Sequence, residues 1–155
     1  MIVTFIGHSS LPAELDLEEK MRKAILANVP KNEKVSFYCG GYGDFDLLSA
    51  QVCRSLKSHF SQSELVYVTP YMTPAQQKKI KYYMEENLYD AMVYPPLETV
   101  PSRYAILRRN EWMMEQADLI FSYVTRPYGG AAKTLEFSKK KGKNIIDLTE
   151  ICRFG

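Results

Sequence analysis

Val35-Ser36-Phe37-Tyr38-Cys39-Gly40-Gly41-Tyr42-Gly43-Asp44-Phe45-Asp46 runs from an apolar, β-rich stretch through a glycine cluster into a segment of helical spacing. The same order recurs later, where Leu119-Ile120-Phe121-Ser122-Tyr123-Val124 is followed by Pro127-Tyr128-Gly129-Gly130-Ala131-Ala132-Lys133-Thr134. Each reads as strand, tight loop, helix start. The first turn of a helix carries unpaired N–H groups and a partial positive charge, and glycine lets an anion approach that backbone with no Cβ in the way. Two such loops in one small domain point to a phosphorylated ligand.

Outward from these loops, strand and helix signals alternate along the whole chain. Strands are expected over residues 2–6, 34–39, 64–69, 91–94, 118–124 and 144–148, with helices over 14–28, 45–60, 74–87, 102–117 and 131–141. The first helix is read from Leu15, Leu17, Met21, Ala24 and Ile25, and the fourth strand is short enough to be an edge. Gly142 suits a helix C-cap, and Lys139-Lys140-Lys141 suits the negative end of that helix. The alternation predicts an α/β, Rossmann-like three-layer sandwich with a mainly parallel central sheet, as a single domain over residues 1–155. Ligands of such folds bind beyond the carboxyl ends of the strands. The loops expected there are 7–10, 40–46, 69–72, 94–96 and 126–133.

Composition bounds the function. The 155 residues are 46% hydrophobic and 25% charged, the balance of an ordinary globular protein. No apolar run approaches the roughly 18 residues of a membrane span, and the start lacks a signal-peptide pattern, so a cytoplasmic location is expected. A net charge of +2, from 20 basic and 18 acidic side chains, gives no strong electrostatic case for nucleic acid, which is not indicated as a partner. Cys39, Cys53 and Cys152 have neither disulfide nor zinc spacing and are read as reduced thiols; no metal and no cofactor is expected.

The candidate ligand-binding residues are His8, Gly40, Gly41, Gly43, Asp46, Arg109, Gly129, Gly130 and Thr134. Each has a plainer alternative. The first glycine cluster can be a purely geometric turn, Thr134 a helix cap, Asp46 a cap on the second helix, and His8 a structural hydrogen-bonding residue. Arg109 is either a bidentate anion ligand or, with Arg108, solvated. Glu136 is a solvated carboxylate or a catalytic acid, while Tyr71, Tyr94 and Tyr128 are placed to stack on a base.

Taken together, Gly7-His8, Gly40 to Ala50, Arg109-Asn110 with Met113-Met114 and Ala117-Asp118, and Gly129 to Thr134 resemble the SLOG superfamily, nearest its YpsA-like branch. The resemblance implies a Rossmann-like fold and a homodimer. The superfamily includes the LOG phosphoribohydrolases, which cut the N-glycosidic bond of a modified adenosine monophosphate. Arg109, Met113, Ala117 and Asp118 fit their Arg-x-x-x-Met-x-x-x-Ala-Asp pattern. Their Pro-Gly-Gly-x-Gly-Thr-x-x-Glu motif is not matched. With the threonines aligned, Phe137 stands at the catalytic glutamate and Glu136 is one place early, about 100° around the helix. The expectation is a cytoplasmic nucleotide or sugar-phosphate binding protein, a sensor or accessory module. The alternative is a nucleoside 5′-monophosphate phosphoribohydrolase with Arg109 and Glu136 as its catalytic pair.

Overall fold

The computed structural model describes residues 1–12 and 16–150. The proposed start of the first helix at Glu14-Leu15, and Cys152, lie outside them. Six strands, β1 (Ile2–Gly7), β2 (Val35–Cys39), β3 (Ser63–Val68), β4 (Ala91–Val93), β5 (Leu119–Tyr123) and β6 (Ile145–Asp147), form one sheet in the order β4-β3-β2-β1-β5-β6. Every pairing is parallel. The helices are α1 (Leu17–Asn28), α2 (Asp44–Ser55), α3 (Pro74–Glu85), α4 (Ser102–Gln116) and α5 (Gly130–Lys140).

Period-two alternation sorts the strand side chains between two cores. Val3, Phe5, Phe37 and Leu65 face the layer made by α1, α2 and α3, where they pack on Met21, Ile25, Val52 and Ile80. Ile6, Val66 and Ile120 face Met113 and Met114 of α4, with Leu135 and Phe137 of α5 at the margin. In α1 the buried positions Leu17, Met21, Ala24 and Ile25 follow the i, i+4, i+7, i+8 spacing of one helical face.

Two helix ends differ from the sequence reading for local reasons. The second helix stops at Ser55, and a 3-10 turn over Lys57–His59 turns the chain so that Leu56 and Phe60 both enter the core. Phe60 packs edge-on against Phe37, with ring centroids 5.8 Å apart. The third helix ends at Glu85 because Asn87 adopts a left-handed conformation (φ 55°), and Leu88 N–H then bonds back to Tyr83 O. Gly142, at φ 69°, closes α5 in the same way, with Lys143 N–H donating to Ser138 O.

The chain builds outward from β1 through β2 and β3 to β4, then α4 carries it across to the other side of β1, where β5 and β6 follow. The strand order therefore reverses between β1 and β5, and the crevice at their carboxyl ends is the position where open α/β sheets bind ligands. None of the described helices is long and apolar enough to cross a membrane.

Candidate ligand cavity at the strand-order reversal

At the carboxyl end of β1, Gly7 leaves no room for a side chain. A Cβ there would stand 2.1 Å from the Phe45 ring at the start of α2. The chain then passes through His8, which is 5% exposed and accepts the Thr125 N–H on Nε2 at 2.9 Å. This bond ties the loop after β1 to the loop after β5 across the crevice. An Nε2 that accepts must be unprotonated. Burial lowers the His8 pKa, and the Arg126 charge lowers it further.

The loop after β1 also caps α2. Ser9 O accepts the Asp44 N–H at 2.8 Å, His8 O accepts the Phe45 N–H at 3.4 Å, and Asp44 Oδ2 accepts the Leu11 N–H at 2.9 Å. Asp46 Oδ2 accepts the Tyr42 N–H at 3.0 Å. The amides of Tyr42, Asp44 and Phe45 are thus engaged within the protein, and the glycines have packing reasons. Gly41 (φ 66°) lies against the Tyr67 ring, Gly43 (φ 89°) against the Ser9 backbone, and Gly40 against the Arg109 guanidinium.

Arg109 is 1% exposed. Its Nη1 donates to Gly40 O at 2.8 Å and Val68 O at 2.9 Å, and its Nε donates to Asn110 Oδ1 at 2.9 Å. It therefore holds the carboxyl ends of β2 and β3 against α4. Its Nη2 is buried and makes no hydrogen bond among the described residues. Burial depresses the Arg109 pKa, opposed chiefly by Asp46. Asp46 is raised to about 6, because burial outweighs the nearby Arg109 charge and the Tyr42 N–H.

At both α2 and α5 the N-cap is a glycine (Gly43, φ 89°; Gly129, φ 93°) and no side chain caps the helix. The two starts differ in that, among the described residues, no loop carbonyl accepts from the first N–H groups of α5 as Ser9 O and His8 O do for α2. A Cβ at Gly129 or Gly130 would meet nothing within 4 Å. The Thr134 hydroxyl donates to Gly130 O at 3.0 Å, one turn back along the helix.

These parts enclose a cavity of about 200 Å³. Of the residues singled out in the sequence, it brings together His8, Asp46, Arg109, Gly129, Gly130 and Thr134. Gly40 and Gly41 instead line a separate hollow of about 30 Å³ with Tyr67, Tyr71 and Gln76, on another side of Arg109. Gly43 lines neither. Glu136 is exposed and lines an open groove of about 730 Å³ that adjoins the cavity, as does Tyr128. Tyr42, Ile106, Asn110 and Arg126 also line the cavity, although the sequence reading did not single them out. Ile106 and Asn110 lie four apart on α4, on either side of Arg109 in sequence, and Arg126 is the first charge after β5, so all three had a positional signal. The clearest signal passed over is the series Ala105, Arg109, Met113 at steps of four, which marks Arg109 as buried.

The chain matches no protein-family model and no curated protein. Among solved structures it is similar to DNA processing protein A of Helicobacter pylori, studied for its single-stranded DNA binding mode, with a TM-score of 0.62 and 12% identity over 95% of this chain and 64% of that one. It is also similar to DNA processing protein A of Streptococcus pneumoniae, with a TM-score of 0.64 and 14% identity over 94% of this chain and 49% of that one. The chain thus spans between about half and two thirds of those proteins' length. At this identity the likeness defines a class, the Rossmann-like α/β fold.

Proposed function

We propose that the chain binds the phosphate of a nucleotide or sugar phosphate at the start of α5, as a sensor or accessory module of the YpsA-like branch acting in the cytoplasm. The observation that carries this reading is the buried Arg109 side chain lining a cavity that Gly129, Gly130 and Ala131 also line, at a helix start whose first N–H groups meet no loop carbonyl among the described residues. A buried cation and unpaired helix N–H groups together favour an anion in the cavity. In this reading Gly129, Gly130 and Ala131 present backbone N–H groups to the phosphate, Arg109 supplies charge, and Asp46 accepts from a sugar hydroxyl. His8 acts through Thr125, holding the two loops at their spacing. The fold shared with a single-stranded DNA binding protein supports a nucleotide-derived ligand.

The test is calorimetric titration with ribose 5-phosphate and nucleoside 5′-monophosphates. Gly130→Val should abolish binding while the protein stays folded, because the added branches enter open space in front of the amides. Unchanged affinity would reject the assignment.

One observation favours N-glycosidic hydrolysis as a second reading. Asp46 places a carboxylate titrating near 6 in the same cavity, whereas Glu136 lies in the adjoining groove. General acid–base catalysis needs a carboxylate within reach of the sugar or its attacking water. Repeated turnover to free base and ribose 5-phosphate, lost in Asp46→Asn and retained in Glu136→Gln, would establish it. Negligible turnover with retained binding is expected.

A further inference from the structure

The cavity holds about 200 Å³, below the roughly 300 Å³ at which small-molecule sites begin. It is not closed on the side of α5. Arg126 and Gly129 line both the cavity and the groove of about 730 Å³ beside it, so the two adjoin at the start of the helix. The groove is chemically distinct from the cavity. Arg126, Lys133 and Lys139 line it, against the single carboxylate of Glu136, and none of these four forms an ion pair among the described residues. Tyr128 is 66% exposed, and the Arg126 guanidinium lies over its ring, 5.6 Å from the centroid. Unpaired cations beside an exposed aromatic ring form the combination that seats nucleotide units, since the ring offers a stacking face and the cations track phosphates.

From this adjacency we infer that the ligand is two nucleosides joined through phosphate, one nucleotide unit seated in the cavity at the start of α5 and the second in the groove, its base stacked on Tyr128 and its phosphate facing Lys133 and Lys139. The inference rests on the phosphate reading of the cavity given above. Two linkages carry this chemistry. A phosphodiester would mark the end of a nucleic-acid strand, and a pyrophosphate would mark a free dinucleotide.

The experiment titrates the intact chain with ribose 5-phosphate, adenosine 5′-monophosphate, the 5′-phosphorylated adenine dinucleotide with a phosphodiester link, and diadenosine diphosphate. At least one dinucleotide should bind about tenfold more tightly than the monophosphate, the size of one base–aromatic stack. The preferred one identifies the linkage. Tyr128→Ala should bring that dinucleotide to the affinity of the monophosphate and leave ribose 5-phosphate unchanged. Lys133→Gln with Lys139→Gln should weaken the dinucleotide severalfold and flatten its salt dependence. Both dinucleotides binding no more tightly than the monophosphate would overturn the inference, as would a Tyr128→Ala variant that keeps the dinucleotide's advantage or loses ribose 5-phosphate equally. If binding of the monophosphate and ribose 5-phosphate survives such a failure, the cavity reading stands alone. If neither binds, both readings fall.

Discussion

Asp46 and His8 titrate in opposite senses, and each leaves its own mark on stability against pH. Asp46 is raised from 3.8 to about 6, so between those values the folded state holds more protons than the unfolded one. Its contribution is lost as pH rises through that window, and above it the ionised carboxylate is a burden on the fold. Asp46→Asn, which keeps an oxygen for the Tyr42 N–H, should raise the denaturation midpoint at pH 7.5, with the gain vanishing toward pH 4; an equal gain at both pH values would contradict it. His8 is depressed, so its contribution is present above the ordinary value of 6.5 and is lost as pH falls through the folded-state value. His8→Gln, whose amide oxygen can still accept from Thr125, should show a shallower acid-side loss in the same titration. Arg109 gathers two carbonyls at the ends of β2 and β3, and Arg109→Ala should cost about 3 kcal/mol or more in urea denaturation, leaving those oxygens unpaired. This placement was only half legible in the sequence. Arginine beside a phosphate loop suggests an anion ligand, but that three of its bonds go to the protein's own oxygens depends on how close α4 comes to β2 and β3, and no local spacing encodes that.

The two glycine loops look alike as strings and differ as elements. The loop entering α2 is closed by Ser9 O, His8 O and the Asp46 carboxylate, and its glycines answer to Tyr67, Ser9 and Arg109. The loop entering α5 has open space at both glycines, and among the described residues no loop carbonyl closes on its first N–H groups. Gly41→Ala should therefore lower the melting temperature by several degrees, since it combines a left-handed φ with a Cβ 2.5 Å from the Tyr67 ring. Gly130→Ala should leave the melting temperature unchanged or slightly raised, since its φ is ordinary and a methyl group reduces the freedom of the unfolded chain. Thermal unfolding of the two variants side by side checks the contrast. The order and type of the elements were legible, because apolar alternation, helical spacing and the Gly and Pro breaks agree with one another. The break at Ser55 was not, because Leu47, Leu48, Val52, Leu56 and Phe60 keep near-helical spacing, and the turn is demanded by the packing of Phe60 on Phe37.

At the scale of the molecule, β1 is flanked by strands of five residues, while both edges of the sheet, β4 and β6, have only three. Hydrogen exchange should be slowest in β1, β2 and β5 and fastest among the strands at the two edges; comparable protection across all six would contradict this. A saturating ligand that binds only the folded form, at 100 times its dissociation constant, should add about 2.7 kcal/mol. The crossing of α4 from one edge of the sheet to the far side of β1 has a mechanical meaning as well. One jaw of the cavity, carrying His8 and Asp46, is written in the opening third of the chain, and the other, carrying Arg126 and Gly130, in the closing third. Both jaws are anchored on neighbouring strands, and the Thr125 to His8 bond is the pin between them. Ile106, Arg109 and Asn110 of α4 and Gly130, Ala131 and Thr134 of α5 line the cavity, so the gape of the jaws is set by how that helical layer sits against the sheet.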